Sequence, residues 1–242
     1  MIRINIATLF PDMCEAFLSE SIIGRARKAG AVKIFCRNIR DYTLDKHRRV
    51  DDKPFGGGTG MVMQAQPIYD CVMSILNELG EDAKPRLIYM SPQGRTLTQA
   101  VVKELAAEDD LIILCGHYEG VDKRVLDELQ FEEISVGDYV VTGGEMPALI
   151  LADAVCRLQD GVLPNEEAYS DESHFNGLLE HPQYTRPEEW RGRRVPEILL
   201  SGHHANIRKW QQEMSVKVTK EKRPEMLADG NIGKIGKINK NG

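Results

Sequence analysis

Strand-length apolar runs alternate with helical spacings from residue 1 to about 158, a pattern that predicts an α/β domain with a largely parallel sheet. Five runs read as strands: Arg3–Leu9, Val32–Arg37, Arg86–Met90, Leu111–Cys115 and Ile134–Val141. Between the third and fourth lies Thr98–Glu108, opened by a capping threonine and apolar at helical spacing, which completes a strand–helix–strand unit. Met146–Leu158 predicts a second helix, with Pro147 in its first turn, where a missing N–H leaves no bond unmade.

Beyond residue 159 the pattern changes. From Asp160 to Asn176 the chain is polar and acidic (Asp160, Glu166, Glu167, Asp171, Glu172), with Gly161 and Pro164 near its start and no clear period, as expected of a flexible linker. Ile198–Met214 reads as a helix around Ile207, Trp210 and Met214. The expected organisation is therefore a domain over 1–159, a linker over 160–176, a small, basic, mainly helical C-terminal domain over 177–229 and a disordered Gly/Lys/Asn-rich tail over 230–242. No internal repeat occurs.

Composition narrows the setting. With 242 residues, 42% hydrophobic and 28% charged, the chain can bury one full core and a smaller second one. The first ten residues alternate like a strand, with no cationic lead or sustained apolar run, so no signal peptide is expected. The longest apolar stretch, Met146–Leu158, is broken by Asp153 and Arg157 and is shorter than the roughly 20 residues a bilayer requires, so no membrane association is expected. Five scattered cysteines without a C-x-x-C pair suit a reducing cytoplasm better than a disulfide framework or zinc site. The net charge of −6 hides a local surplus: Arg186–Arg223 holds ten Lys/Arg against five Glu, enough either to hold phosphates or to form a solvated helical face.

The candidate chemistry lies where predicted strands end. Ser91–Gly94, Gly116–Gly120 and Gly137–Glu145 are loops of glycines and small residues, and in a parallel sheet such loops line one ligand crevice. Neither phosphate-cradling glycine motif occurs there, which argues against a dinucleotide or triphosphate and for a small adenosine-bearing ligand held largely by backbone groups. A fourth glycine-rich stretch, His47–Met61, reads from composition alone as a surface loop.

These segments together resemble the bacterial tRNA (guanine-N1)-methyltransferase family from about Ile4 to Leu227. The likeness is colinear through Leu9-Phe10-Pro11, His47-Arg48 with Val50-Asp51-Asp52, Pro54–Met61, Ser91–Arg95, Gly116–Val121, Val136–Pro147, Gly177-Leu-Leu, Tyr184–Pro187 and Leu200-Ser-Gly202. The resemblance implies a SPOUT-like α/β domain with a deep trefoil knot, S-adenosyl-L-methionine as methyl donor, tRNA as partner, a homodimer, and methylation of guanosine 37, just 3′ of the anticodon. Carried over by position, the donor contacts fall on Tyr89, Met90, Ser91, Gly116, Tyr118, Glu119, Gly120, Val136, Gly137, Asp138, Tyr139, Val140, Val141, Gly143, Gly144 and Pro147.

Guanine N1 is a poor nucleophile until a base removes its proton, and the resulting charge spreads to O6, where a cation stabilises it. Arg157 matches the family's catalytic arginine, against the plainer reading of a cation that complements a helix C-terminus. The family's base is an aspartate followed by serine, five residues before the glycine of G-L-L. Here that position is Glu172, followed by Ser173, so the resemblance assigns the base to Glu172, with Asp171 directly before it as the alternative. His174, His181, His203 and His204 form no metal-ligand pattern. Magnesium is compatible with the family's chemistry, but no dedicated site is legible. A relative acting on another base would lack the His47–Met61 and Tyr184–Pro187 segments, and a non-catalytic RNA-binding relative would have lost pocket glycines or Arg157. None of these is lost.

Overall fold

The computed structural model describes residues 1–165 and 167–228; the tail expected to be disordered, 230–242, lies outside the described residues. The chain divides into two compact units, Met1–Asn165 and Glu166–Gly242. The boundary falls inside the 160–176 stretch.

The first unit carries, in order, β1 (Arg3–Thr8), α1 (Pro11–Leu18), α2 (Ser21–Ala29), β2 (Lys33–Asn38), the short β3 (Asp51–Asp52) and β4 (Val62–Met63), α3 (Ala65–Leu79), β5 (Arg86–Thr96), α4 (Gln99–Ala106), β6 (Asp110–Cys115), α5 (Lys123–Glu128), β7 (Glu132–Ser135) and α6 (Glu145–Cys156). Five strands form one sheet in the order β2-β1-β6-β5-β7, and every neighbouring pair is parallel. An all-parallel sheet is covered on both faces, which is why β6 is apolar at nearly every position and buried throughout. Its residues divide by alternation. Leu111, Ile113 and Cys115 join a core with α1, α2, α4 and α6; Ile112 and Leu114 join a second with α3 and α5. Helix α3, which the strand pattern leaves unpredicted, repeats its apolar residues at Ile68, Cys71, Val72 and Ile75, and all four are fully buried.

Two of the expected strands end more than one residue from the expected position. The fifth stops at Ser135 instead of Val141, because the Ser135 hydroxyl accepts the Gly137 N–H at 3.1 Å and donates to the Gly137 carbonyl at 2.9 Å, turning the chain off the sheet. Tyr139, Val140 and Val141 are consequently exposed. The third runs to Thr96 because it continues past a bulge: Met90 and Arg95 both pair with Ile134, and residues 91–94 project between them.

The second unit holds α7 (Glu167–Ser170), an antiparallel hairpin of β8 (Glu189–Trp190) and β9 (Arg193–Arg194), then α8 (Glu197–Leu200), α9 (His204–Lys222) and α10 (Glu225–Ala228). The helix expected over 198–214 is broken after Leu200, where Gly202 adopts φ +72°, and α9 then runs past the expected end at Met214 to Lys222. Buried Thr219 on α9 ties the unit together: its hydroxyl donates to the Ser215 carbonyl at 2.7 Å and accepts the Leu179 N–H at 2.8 Å.

Candidate active site

The parallel sheet brings the carboxyl ends of β5, β6 and β7 side by side, and the three loops that leave them enclose a crevice of about 470 Å³. Of the sixteen residues that the family resemblance assigns to the donor, all but Gly137 and Asp138 line it. Pro92, Gln93, His117, Val121, Lys123 and Thr142 line it as well; the sequence pattern does not single them out, and their one signal is a place in or beside the three loops.

Backbone contacts hold the loops together. The Gly144 N–H donates to the Gly116 carbonyl at 2.8 Å, and His117 pairs with Gly143 in a single antiparallel bridge. Gly144 has an ordinary helical φ of −77°, so it is required for space: a Cβ there would lie 2.7 Å from the Cys115 Cα and 2.8 Å from the Gly116 nitrogen. The fourth glycine-rich stretch adjoins the second loop, since the Glu119 N–H donates to the Met61 carbonyl at 3.0 Å and the Met63 N–H to the Gly120 carbonyl at 2.9 Å. A Cβ on Gly60 would meet the Glu119 carboxylate at 2.5 Å. The surface-loop reading of His47–Met61 thus misses its inner end, which borders the crevice.

Tyr89 closes the floor. Burial pushes its phenol up to about 12, with the nearby Glu133 adding to the effect, so it stays protonated and available as a hydrogen-bond donor. The buried Cys115 thiol is likewise pushed well up by loss of solvent, which leaves it un-ionised and not nucleophilic.

Arg157 follows directly on α6, its N–H donating to the Asp153 carbonyl at 3.1 Å. Burial raises the Asp153 pKa, and the charge of Arg157 opposes the rise. Glu172 and Asp171 belong to the second unit. Glu172 is half-buried just after α7, its N–H donating to the Tyr169 carbonyl at 3.2 Å, whereas Asp171 is exposed. The arginine and the two acids therefore stand on separate units of one chain.

The second unit presents its cations outward. All ten Lys/Arg between Arg186 and Arg223 are exposed, Trp190 is 60% exposed with the Arg191 guanidinium 5.1 Å from its ring centroid, and Tyr184 stands half-exposed near Trp210. Such a mixture of cations and aromatic faces suits phosphates and unstacked bases. Among the described residues no cluster of three or more His, Cys, Asp or Glu is placed to hold a metal, and no helix is long and apolar enough to cross a membrane.

A glycine-lined crevice at the carboxyl ends of parallel strands, on a chain whose other unit carries exposed cations, defines a class: an α/β protein with a parallel sheet and a cavity of small-ligand size at its strand ends. Comparison with known proteins makes the class specific. The family model for tRNA (Guanine-1)-methyltransferase TrmD matches residues 2–229, and the chain belongs to that methyltransferase family. The tRNA (guanine-N(1)-)-methyltransferase of Ruminiclostridium cellulolyticum is 56% identical over 225 residues, covering 93% of this chain and 96% of its own. Those of Lachnospira eligens and Clostridium botulinum (strain 657) are 53% and 52% identical over the same length, covering 94% and 91% of their own chains.

Two outcomes follow from the geometry. Gly144→Ala is expected to weaken binding of a crevice ligand at least about tenfold, because the added Cβ meets the backbone of Cys115 and Gly116 and must push the third loop away from the second; calorimetric titration with S-adenosylmethionine, on variant protein shown by circular dichroism to be folded, checks it, and unchanged affinity contradicts it. Asp153 has a folded-state pKa above its ordinary 3.8, so its charge destabilises the fold at neutral pH and the penalty disappears as pH falls through the raised value. Asp153→Asn should therefore melt no lower than the parent at pH 7, with the two curves converging as pH approaches about 4.

Proposed function

We propose that this chain transfers the methyl group of S-adenosyl-L-methionine to N1 of guanosine 37 in tRNA, acting as a homodimer. The observation that carries the reading is the backbone-lined crevice made by three strand-end loops, on a chain whose family is a tRNA (guanine-1)-methyltransferase family. Its size lies within the range of small-ligand sites, and its glycine backbone suits an adenosine-bearing ligand that lacks polyphosphate. When bound, S-adenosylmethionine supplies an electrophilic methyl group on a sulfonium. The loops are taken to be threaded as a trefoil knot, a reading that rests on membership of the family.

The protein's own part is to make guanine reactive. Glu172 removes the N1 proton and the Arg157 guanidinium stabilises the charge that develops on O6. The basic surface of residues 186–223 engages the tRNA backbone, and the 160–176 stretch orders over the target base when tRNA binds, completing the second half of the site. Two identical subunits are supported by apolar side chains left exposed on adjoining helices: Met13 and Phe17 on α1, Ile22 on α2, and Met146 and Ile150 on α6. In that dimer Arg157 of one protomer serves with the linker acid of its partner.

The test is methyl transfer to tRNA transcripts with and without guanosine at position 37. Replacing that base with adenosine should abolish transfer, and methylation that persists at another base contradicts the substrate assignment. In single-turnover assays Glu172→Gln should lower the rate about 10² to 10⁴-fold, the span of a lost general base. A severe loss confined to Asp171→Asn would move the base to Asp171.

A further inference from the structure

We propose that Glu145 is a positioning residue of the transfer site, holding the second and third loops in register through a carboxylate shared between His117 and Thr8. The inference rests on the reading that the methyl donor occupies the crevice. Glu145 opens α6 and is only 2% exposed, yet among the described residues no arginine or lysine pairs with it. A buried carboxylate is costly unless its lone pairs are met. Here both oxygens are met: Oε1 accepts the Thr8 hydroxyl at 2.6 Å, and Oε2 lies 2.7 Å from His117 Nε2.

Each partner is itself constrained. The Thr8 oxygen accepts the Phe10 N–H at 2.9 Å, so its single proton is directed to the carboxylate. The contact of His117 Nε2 with Oε2 fixes the plane of the imidazole ring. That ring packs 4.9 Å from the Phe10 ring, centroid to centroid.

The three residues come from three places: Thr8 ends β1, His117 lies in the loop after β6, and Glu145 follows the loop after β7. The carboxylate therefore cross-links two loops of the crevice to the neighbouring strand. The space between them is full, since a Cβ on Gly143 would run into His117 Nε2 and lie 2.8 Å from Glu145 Oε2. His117 lines the crevice and Glu145 does not, so the acid acts on a bound ligand only through the imidazole and the loop that carries it. The competing role is purely structural, an acid favoured at a helix N-terminus. That role predicts lost stability with unaltered donor affinity.

The experiment compares the full-length parent with Glu145→Gln, Thr8→Val and Thr8→Ser. Donor affinity is read by calorimetric titration with S-adenosylmethionine, and donor KM and kcat by methyl transfer to tRNA. Glu145→Gln should raise the donor Kd and KM about tenfold or more, the usual consequence of removing a charge-assisted hydrogen bond from a buried network. The kcat at saturating donor and tRNA should stay within about twofold, because no group that touches the reacting atoms has changed. Thr8→Val should shift KM in the same direction, and Thr8→Ser, which keeps the hydroxyl, should restore it. Variants that melt lower but keep the parent's donor KM overturn the proposal. If Glu145→Gln does not fold, the Thr8 pair decides, and a parental KM in Thr8→Val overturns it equally. A parent that transfers no methyl group and does not bind S-adenosylmethionine overturns the donor reading itself, a result distinct from either.

Discussion

The site depends on two loop backbones lying in contact, the Gly144 amide against the Gly116 carbonyl at 2.8 Å. That distance leaves no room for a side chain on Gly144, and it fixes where α6 begins. From that start Pro147 faces the crevice, Glu145 turns inward to Thr8 and His117, and Arg157 comes out at the far end of the helix. A single steric requirement in the loop after β7 thus sets the position of groups as far along the chain as Arg157. The sheet makes the contact possible, because β6, β5 and β7 run parallel and deliver their carboxyl ends to one edge.

How much of this the sequence discloses differs by element. Strand β6 is legible because a strand buried on both faces is apolar almost without interruption, as Leu111–Cys115 is, and β1 is legible by its alternation, with Ile4 and Ile6 on either side of Asn5. The end of β7 is not, because Val136, Tyr139, Val140 and Val141 have strand-forming side chains whereas the turn is made by hydrogen bonds between Ser135 and Gly137. The bulge at residues 91–94 is legible as a loop but not as a detour within one strand, since register is a property of the partner. The break at Gly202 escapes the pattern because Leu200 and Ile207 keep an apolar helical spacing on either side of it.

The crevice shows the same division. Glycine and small residues at three strand ends already point to one ligand site, and the fold gathers those loops around one cavity. The Thr8–Glu145–His117 network leaves no pattern to read, because Thr8 and His117 lie 137 and 28 residues from Glu145 along the chain and become its neighbours only through the sheet order. Glu145 in particular reads as an ordinary acid in the first turn of a helix. Its burial is what marks it. The separation of Arg157 and Glu172 into different compact units follows from the chain order: the first unit ends soon after α6, so the acids that follow belong to the second.

If the three strand-end loops hold S-adenosylmethionine while the second unit serves the RNA, the two ligands should protect different segments of the backbone. Amide hydrogen exchange of the whole chain, with and without saturating S-adenosylmethionine, tests it most directly. Slowed exchange is expected in residues 89–94, 116–121 and 134–144, with the basic segment 186–223 unchanged until tRNA is added. Slowed exchange centred on the basic segment with the donor alone, or none in the three loops, would contradict it.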